Sequence, residues 1–309
     1  MIITLTVNPA IDRTITVDRL VFEDRAYITS TSESAGGRGI NASCVIHSFG
    51  GKTLAVVAAG GKSGVRLEQF LQSCGFQVAV AAIRNQVRTN LTITDSHGLT
   101  VKLNEPGAAI EKPELARLEK LITGKLGEAS WLMICGSLPP GVPPTFYAKL
   151  IEIARKRGIK TLLDTDGPPL EAGIRAGPTV VTPNQQEAER LLNTALLTQG
   201  QFVNAVERIR KMGSDSVVLS LGSRGAIATH NHQIVEAIPP RIDAVCPIGA
   251  GDAMAAAFAW AMERKDDFQD ALRWSVAAGT ASAKLPGMRL ASLDQTKEIY
   301  RLVETRRVE

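Results

Sequence analysis

The chain has 309 residues, of which 44% are hydrophobic and 21% charged, and its 35 basic and 31 acidic residues give a net charge of +4. This composition is typical of a globular protein with a large core, and the absence of any run of five like charges argues against nucleic-acid or membrane partners. Four scattered cysteines without a C-x-x-C pair, no apolar run near ~18 residues, and no signal-peptide pattern at the N-terminus predict a reduced protein of the cytoplasm.

Apolar runs that end in turn residues recur from about residue 53 onward, and they have the continuous hydrophobicity of strands covered on both faces. The predicted strands span residues 54–59, 131–135, 161–164, 179–181 and 216–220. Helical patterns lie before or between them, over residues 43–49, 113–125, 144–156, 185–192 and 202–212. The alternation predicts right-handed βαβ units, and therefore an α/β fold with a mostly parallel central sheet.

Two segments depart from this pattern, because polar and apolar residues alternate in them as they do in half-exposed strands. They run from residue 14 to 29 and from residue 90 to 104. We interpret them as a small separate sheet formed by two insertions, at about 12–34 and 86–106, into a single domain spanning 1–309. Such a sheet is a candidate lid, and the alternative is a pair of edge hairpins without a function.

A glycine-rich block, Gly36-Gly37-Arg38-Gly39-Ile40-Asn41, precedes the helix predicted at 43–49. Its glycines let the backbone approach a ligand closely, and the amide of Asn41 can bond two neighbouring hydroxyl groups. Gly37, Gly39 and Ala42 also match the dinucleotide fingerprint G-x-G-x-x-G/A, but the acidic ribose partner expected ~20 residues further on is missing. We therefore favour a loop that binds a hydroxylated ligand over a dinucleotide site, and a purely structural loop is the other alternative.

A second glycine block, Gly249-Ala250-Gly251-Asp252, ends in an acid that opens an apolar, alanine-rich helix. Unpaired N–H groups at such a turn, together with the positive end of the helix dipole, form an anion site. Asp252 stands where a carboxylate could accept the proton of an attacking hydroxyl group, as phosphoryl transfer requires. An ordinary helix start is the alternative, since Gly and Asp are both common there.

Asn184 follows a predicted strand and stands three residues before Glu187. The functional interpretation is that Glu187 holds Mg²⁺ near nucleotide phosphates, with Asp164 at the same metal site. The alternative is a capping box, which needs no ligand. The ATP-binding loop G-x-x-x-x-G-K-[ST] is absent, because Val56 stands where the block Gly60-Gly61-Lys62-Ser63 would need its leading glycine.

Charged residues in or beside the candidate lid are candidates for binding a sugar phosphate. Asp12 comes just after the first strand, where an acid could bind sugar hydroxyls or cap a turn. Four basic residues near one cleft would suit a phosphate, although single basic residues are usually only solvated: Arg25, Arg38, Arg88 and Lys102.

Together, the two glycine blocks resemble the signatures of the PfkB (ribokinase-like) carbohydrate kinase family, and their order and spacing agree over essentially the whole chain. Residues 6–12 and 103–107 are similar to the phosphosugar branch, which contains 6-phosphofructokinase, 1-phosphofructokinase and tagatose-6-phosphate kinase. The resemblance implies a three-layer αβα fold with a β-sheet lid that forms a homodimer interface. It also implies ATP and Mg²⁺ as cofactors, K⁺ as a further candidate, and fructose 6-phosphate, fructose 1-phosphate or tagatose 6-phosphate as the acceptor.

The resemblance also implies roles for individual residues. Asp252 becomes the general base, and Gly249, Ala250 and Gly251 become the anion hole. Contacts to the sugar phosphate are expected from Asp12, Arg25, Gly37, Arg38, Asn41, Arg88, Lys102 and Ser137. Contacts to the nucleotide are expected from Asn184, Ser220, Gly222 and Gly225, and Mg²⁺ is expected near Glu187 and Asp164.

Four positions depart from the family pattern. Thr182 stands where this branch often has a lysine that helps to hold nucleotide phosphates, and Arg38 stands where related enzymes carry Lys or Gly. Ala253 replaces a common serine, and Pro247 replaces a small hydroxyl residue. The alternatives are therefore a kinase of an unphosphorylated sugar or nucleoside, against which the basic residues of the lid argue, and a catalytically silent sugar-phosphate sensor, against which Asp252 argues.

Overall fold

The computed structural model describes residues 1–21, 23–287 and 289–308. Within these residues the strands are β1 (Ile2–Thr6), β2 (Ala10–Val17), β3 (Ile28–Gly36), β4 (Thr53–Ala59), β5 (Gln77–Ala82), β6 (Arg88–Asp95), β7 (Thr100–Asn104), β8 (Trp131–Cys135), β9 (Lys160–Asp164), β10 (Val180–Val181), β11 (Ser216–Ser220), β12 (Ala226–His230), β13 (Gln233–Ile238) and β14 (Glu304–Val308). The helices are α1 (Arg38–Ser48), α2 (Gly61–Gln72), α3 (Lys112–Lys125), α4 (Phe146–Lys156), α5 (Gly167–Arg175), α6 (Gln185–Leu192), α7 (Gln199–Lys211), α8 (Ala250–Glu263), α9 (Phe268–Ala283) and α10 (Leu293–Tyr300).

The main sheet of the described chain has ten strands, in the order β14-β13-β12-β11-β10-β9-β8-β1-β4-β5. All pairings from β5 to β11 are parallel. The three strands at the other edge, β12, β13 and β14, pair antiparallel. The prediction of an α/β fold with a mostly parallel sheet is confirmed, whereas the sequence pattern gave no sign of the antiparallel edge.

Helices cover both faces of this sheet, because successive strand residues point to opposite sides. Ile3 and Leu132 pack in a core shared with helices α3 to α7. Their chain neighbours Ile2 and Trp131 pack on the other face with α1, α8, α9 and α10. The result is the expected three-layer αβα arrangement. In the described part of the chain, none of the helices combines the length and the apolar character needed to cross a bilayer.

A small four-stranded sheet, in the order β3-β2-β6-β7, stands apart from the main sheet. Each insertion forms an antiparallel pair, and the two pairs are joined because β2 and β6 run parallel, with Asp12 opposite Asn90. The strands occupy 10–36 and 88–104, which lies within two residues of the predicted bounds. The role of this sheet as a lid stays a prediction.

Both glycine blocks enter their helices earlier than the sequence pattern predicted. Helix α1 begins at Arg38 rather than at residue 43, so that Gly39 and Asn41 are helical, and α8 begins at Ala250, so that Asp252 is its third residue. The first block also follows β3, a strand of the small sheet. A dinucleotide fingerprint must follow a strand of a βαβ unit, and the alternative of a dinucleotide site is therefore excluded.

Candidate active site

The candidate residues meet at the edge of the main sheet where its parallel strands end, which is where ligands bind in open α/β sheets. Residues from five strand ends reach this edge, and they are Asn8, Ser137, Asp164, Thr182 and Ser220. The small sheet lies beside this edge, because only three residues separate the end of β1 in the main sheet from the start of β2 in the small sheet. The start of helix α8 completes the site.

Helix α8 begins without a side-chain cap from the residues that the structure describes. Gly249 is the N-cap residue, and its φ of 82° lies in the left-handed region, which glycine adopts without strain. The N–H groups of the first helical turn have no partner inside the helix, so those of Gly251 and Asp252 are free to bind an anion. A glycine N-cap and an acid in the first turn are also found at ordinary helix starts, so the anion site stays a prediction.

Asp252 is held by Asn41 of helix α1, whose Nδ2 donates a hydrogen bond of 2.7 Å to Asp252 Oδ2. The residue keeps some contact with solvent, but protein atoms surround its carboxylate closely. This desolvation, followed by the negative charge of Asp164, raises the pKa of Asp252 to about 6, against the opposing effects of Asn41, Arg38 and Lys102. A carboxylate with such a pKa is well suited to accept a proton near neutral pH.

The guanidinium of Arg38 lies among three acids on the neighbouring strand ends. It donates to Asp164 Oδ1 at 3.1 Å, to Asp166 Oδ2 at 3.3 Å and to Glu187 Oε1 at 3.3 Å. The charge of Asp164 is the largest cause that raises the pKa of Arg38, and burial raises the pKa of both Asp164 and Glu187. The prediction that Arg38 contacts the sugar phosphate stays a prediction; in this structure its side chain points to the acids of the expected metal side.

Glu187 takes part in both of the interactions that the sequence left open. Its Oε2 accepts from the N–H of Asn184, and Asn184 Oδ1 accepts from the N–H of Glu187, both at 2.9 Å, so the capping box is present. Its Oε1 is the atom that meets Arg38. The capping box therefore fixes Glu187 and turns one carboxylate oxygen toward the site.

The carboxylates of Asp164 and Glu187 have the hard oxygen donors that Mg²⁺ prefers. However, the described residues contain no group of three or more His, Cys, Asp or Glu side chains arranged to hold a metal ion by themselves. These residues fit an ion that keeps several waters and takes its other ligands from substrate phosphates, as Mg²⁺ usually does.

A pocket of about 200 Å³ extends from Asp252 and Arg38 along the ends of β10 and β11. Its walls include Thr182, Asn184, Ser220, Met254 and Ser275. The hydroxyl of Ser275 is buried and has no hydrogen-bond partner among the described residues. Two predicted nucleotide contacts, Gly222 and Gly225, lie in the turn just after Ser220 and do not line this pocket.

On the opposite side of Asp252, the small sheet presents Asp12. Asn90 Nδ2 donates to Asp12 Oδ1 at 2.8 Å, while Asn90 Oδ1 is buried without a partner in the described structure. Burial raises the pKa of Asp12, and Asn90, Lys102 and Arg88 lower it. Gly36 is required here, since a Cβ at this position would overlap the carboxylate of Asp12. Asp12 and Asn90 thus form a buried polar pair that faces the site.

Arg88, at the start of β6, is anchored by two backbone carbonyl groups. Its Nη1 donates to the oxygen of Glu105 at 2.8 Å and its Nη2 to the oxygen of Asn8 at 3.1 Å, whereas its buried Nε has no partner among the described residues. Burial lowers the pKa of Arg88. Lys102 is exposed on β7, and its charge acts on both Asp12 and Asp252. Both cations therefore lie close enough to Asp12 to lower its pKa.

The remaining predicted sugar contacts differ in their positions. Gly37 has a φ of 135° and leads from the small sheet into α1. The hydroxyl of Ser137 accepts a hydrogen bond from Asn8 Nδ2 at 3.2 Å. Arg25 is exposed in the turn between β2 and β3, and its contact with the sugar phosphate stays a prediction.

Four site residues were missing from the sequence prediction: Asn8, Asn90, Asp166 and Ser275. Asn90 had a detectable signal, because it stands on the same alternating strand as Arg88, two residues later. Ser275 lies in the middle of an apolar helix, and only the packing of α9 against α8 brings it to the pocket.

These features define a class of protein: a ribokinase-like αβα fold with an acid in the first turn of a helix, a pocket lined by further acids, and a small sheet that carries Arg88 and Lys102. Residues 5–295 match the model of the family described as pfkB family carbohydrate kinase, and the chain belongs to this family.

Named relatives align with this chain over nearly the full length of both sequences. The chain is 32% identical to the ATP-dependent 6-phosphofructokinase isozyme 2 of Escherichia coli over 302 residues, covering 97% of both chains. It is 29% identical to a tagatose-6-phosphate kinase of Staphylococcus epidermidis over 307 residues, covering 98% of this chain and 99% of the relative. A crystal structure of phosphofructokinase-2 from Escherichia coli in complex with potassium superposes with a TM-score of 0.90 at 31% identity, covering 97% of this chain and 98% of the other.

Proposed function

We propose that this protein transfers the γ-phosphoryl group of ATP to a hydroxyl group of a ketohexose monophosphate, forming a bisphosphate. The observation that supports this most is the position of Asp252. It has a pKa of about 6, it stands in the first turn of α8, and the positive charges of Arg38 and Lys102 act on it. Relatives named phosphofructokinase and tagatose-6-phosphate kinase support the substrate class.

In the proposed mechanism, the acceptor hydroxyl lies against the Asp252 carboxylate, which takes its proton as the oxygen attacks phosphorus. Because the transition state of phosphoryl transfer is loose, positioning and charge stabilisation contribute most of the catalysis. The N–H groups of Gly251 and Asp252 would bind the charge that develops on the transferred group. Asn41 keeps the carboxylate oriented through its 2.7 Å hydrogen bond.

We propose that the sugar phosphate binds on the side of Arg88 and Lys102, and that the Asp12 carboxylate and Asn90 Oδ1 accept hydrogen bonds from sugar hydroxyls. The unpartnered Nε of Arg88 and the unpartnered Oδ1 of Asn90 support this, because buried polar atoms are seldom left without a partner. ATP would enter the pocket between Thr182 and Ser275.

Asp164 and Glu187 would hold Mg²⁺ together with the phosphates, and when bound the ion supplies charge neutralisation. Arg38 would then supply positive charge where the branch often has a lysine at position 182. K⁺ stays a candidate cofactor, as the family resemblance implies, and a structure of the relative from Escherichia coli in complex with potassium supports it.

A panel of acceptors tests this function through ADP release with ATP and Mg²⁺. We expect turnover with one or more of fructose 6-phosphate, fructose 1-phosphate and tagatose 6-phosphate, and kcat/KM at least tenfold lower for free fructose and tagatose, because free sugars lack the phosphate for the cationic side. Preference for a free sugar or nucleoside would support the first alternative. Sugar-phosphate binding without ADP release would support the silent sensor.

The pH dependence of kcat should follow Asp252, because only its ionised form accepts a proton. With a pKa of about 6, kcat should fall as the pH is lowered through that value. Asn41→Ala removes a hydrogen bond to the charged form of Asp252, which should raise its pKa and move the acidic limb of the pH profile, the fall of kcat at low pH, to higher pH. Asp164→Asn removes a like charge, which should lower the pKa of Asp252 and move this acidic limb to lower pH. Profiles measured over roughly pH 5–9 at saturating Mg²⁺ would contradict the assignment if both variants shifted the limb in the same direction.

We propose a homodimer formed through the small sheet, acting in the cytoplasm. Exposed large hydrophobic residues support this interface, since several lie on the small sheet or its turns: Val21, Tyr27, Ile28, Leu99 and Leu103. A sedimentation mass equal to the 33.0 kDa of a single chain would contradict the dimer.

A further inference from the structure

Two of the four cysteines lie side by side, outside the site described above. Cys44 is on α1, three residues after Asn41, and Cys74 follows the end of α2. Both are free and half-buried. The Cys74 thiol donates to the backbone oxygen of Phe70 at 3.3 Å, and it lies close enough to Cys44 for each thiol to shift the pKa of the other.

The segment after α2 is fixed against this part of α1. The rings of His47 and Phe76 pack edge to face with their centres 6.0 Å apart. Gly75 adopts a φ of 80°, and a Cβ there would lie 3.1 Å from His47 Nε2, so that only a glycine fits this turn. Cys44 and Phe76 also pack against the same apolar cluster. Contacts around the two thiols therefore hold them as neighbours.

The two thiols have different environments. The hydrogen bond to Cys74, followed by burial, raises the pKa of Cys44, whereas the same hydrogen bond lowers the pKa of Cys74 to about 7. The thiolate is the reactive form of cysteine. Cys44 packs against an apolar cluster and is more deeply buried than Cys74, which lies in the turn after α2, so an oxidant from solvent should meet Cys74 first and Cys44 second.

We propose that Cys44 and Cys74 form a peroxide-sensitive thiol pair that closes a reversible disulfide between α1 and the segment after α2. The oxidant is hydrogen peroxide. The Cys74 thiolate attacks one peroxide oxygen, the O–O bond breaks, and the products are a sulfenic acid and hydroxide, which takes up a proton to become water. The Cys44 thiol then attacks the Cys74 sulfur and releases the second water, so that two thiols are oxidised and one peroxide is reduced.

The test uses the full-length Cys246→Ser protein, because Cys246 is also half-buried whereas Cys135 is buried in the core. A small excess of hydrogen peroxide should remove two titratable thiols and about 2 Da of mass, and a dithiol reductant should restore both. Peptide mapping without reduction should show a Cys44–Cys74 link within one chain, formed at a rate independent of protein concentration.

Two further variants separate the roles of the cysteines. Cys44→Ser should stop the reaction at the sulfenic acid of Cys74, which dimedone traps. Cys74→Ser should leave Cys44 unmodified at the same peroxide dose. Retention of both thiols, a link only between two chains, or faster oxidation of Cys44 than of Cys74 would each overturn the proposal. The pair is independent of the kinase chemistry, so these outcomes leave the proposed function untouched.

Discussion

Replacement of Asp252 by Asn is expected to lower kcat by about 10²–10⁴, the usual contribution of a positioned general base. The substitution keeps the size of the side chain but removes the group that accepts the proton. It also removes a charge that interacts with Arg38. The measurement is ADP release at saturating ATP, Mg²⁺ and sugar phosphate.

The matched control for this variant is Asp294→Asn, which changes an exposed acid at the start of α10 that is paired with Lys297. We expect it to keep near-normal turnover. Calorimetric titration with ATP should show that Asp252→Asn still binds nucleotide, because the pocket walls are intact. Near-full turnover in Asp252→Asn would show that another group accepts the proton.

Arg88→Ala is expected to raise KM for the sugar phosphate by about 10–100-fold, because a guanidinium–phosphate hydrogen bond contributes about 1.5–3 kcal/mol. KM for ATP should change by less than about threefold, because Arg88 does not line the nucleotide pocket. Initial rates measured while each substrate is varied in turn give both constants. Equal increases in both would contradict the assignment of Arg88 to the acceptor phosphate.

Arg88→Ala also leaves the carbonyl oxygens of Asn8 and Glu105 without their donor, so local structure needs its own control. Arg88→Lys keeps a positive charge but not the planar fork that reaches both carbonyls. If the charge matters most, Arg88→Lys should recover part of the affinity for the sugar phosphate. If its KM matches that of Arg88→Ala, the fork geometry matters more than the charge.

Much of the fold was predictable because buried parallel strands have a simple signature. Runs such as 131–135 are apolar at every position, since both faces of the strand are covered. Strands β13 and β14 carry polar residues on exposed positions at the sheet edge, so no such run marked them. The early start of α1 was missed because glycines weaken a helical pattern, whereas here Gly39 packs against the backbone of Leu5.

The sequence indicated which residues belong to the candidate site better than it indicated how their side chains are arranged. Asn41 and Asp252 lie in the first turns of α1 and α8, whereas Asp12 and Arg88 lie near the starts of β2 and β6. The position of Arg38 could not be read from the sequence, because its long side chain is directed by three carboxylates that are distant along the chain. Sequence spacing contains no information on such a choice.

The parallel pairing of β2 with β6 has a mechanical consequence. Asp12, Arg88, Asn90 and Lys102 come from two separate insertions, yet they all stand on one hydrogen-bonded sheet. If the small sheet acts as a lid, the groups proposed to hold the sugar hydroxyls and those proposed to hold its phosphate would move together relative to α8. An acceptor whose phosphate fits the small sheet but whose hydroxyls do not would bind with its reactive hydroxyl out of line with Asp252. The distance between the phosphate and the reactive hydroxyl of the acceptor would therefore determine which substrates react.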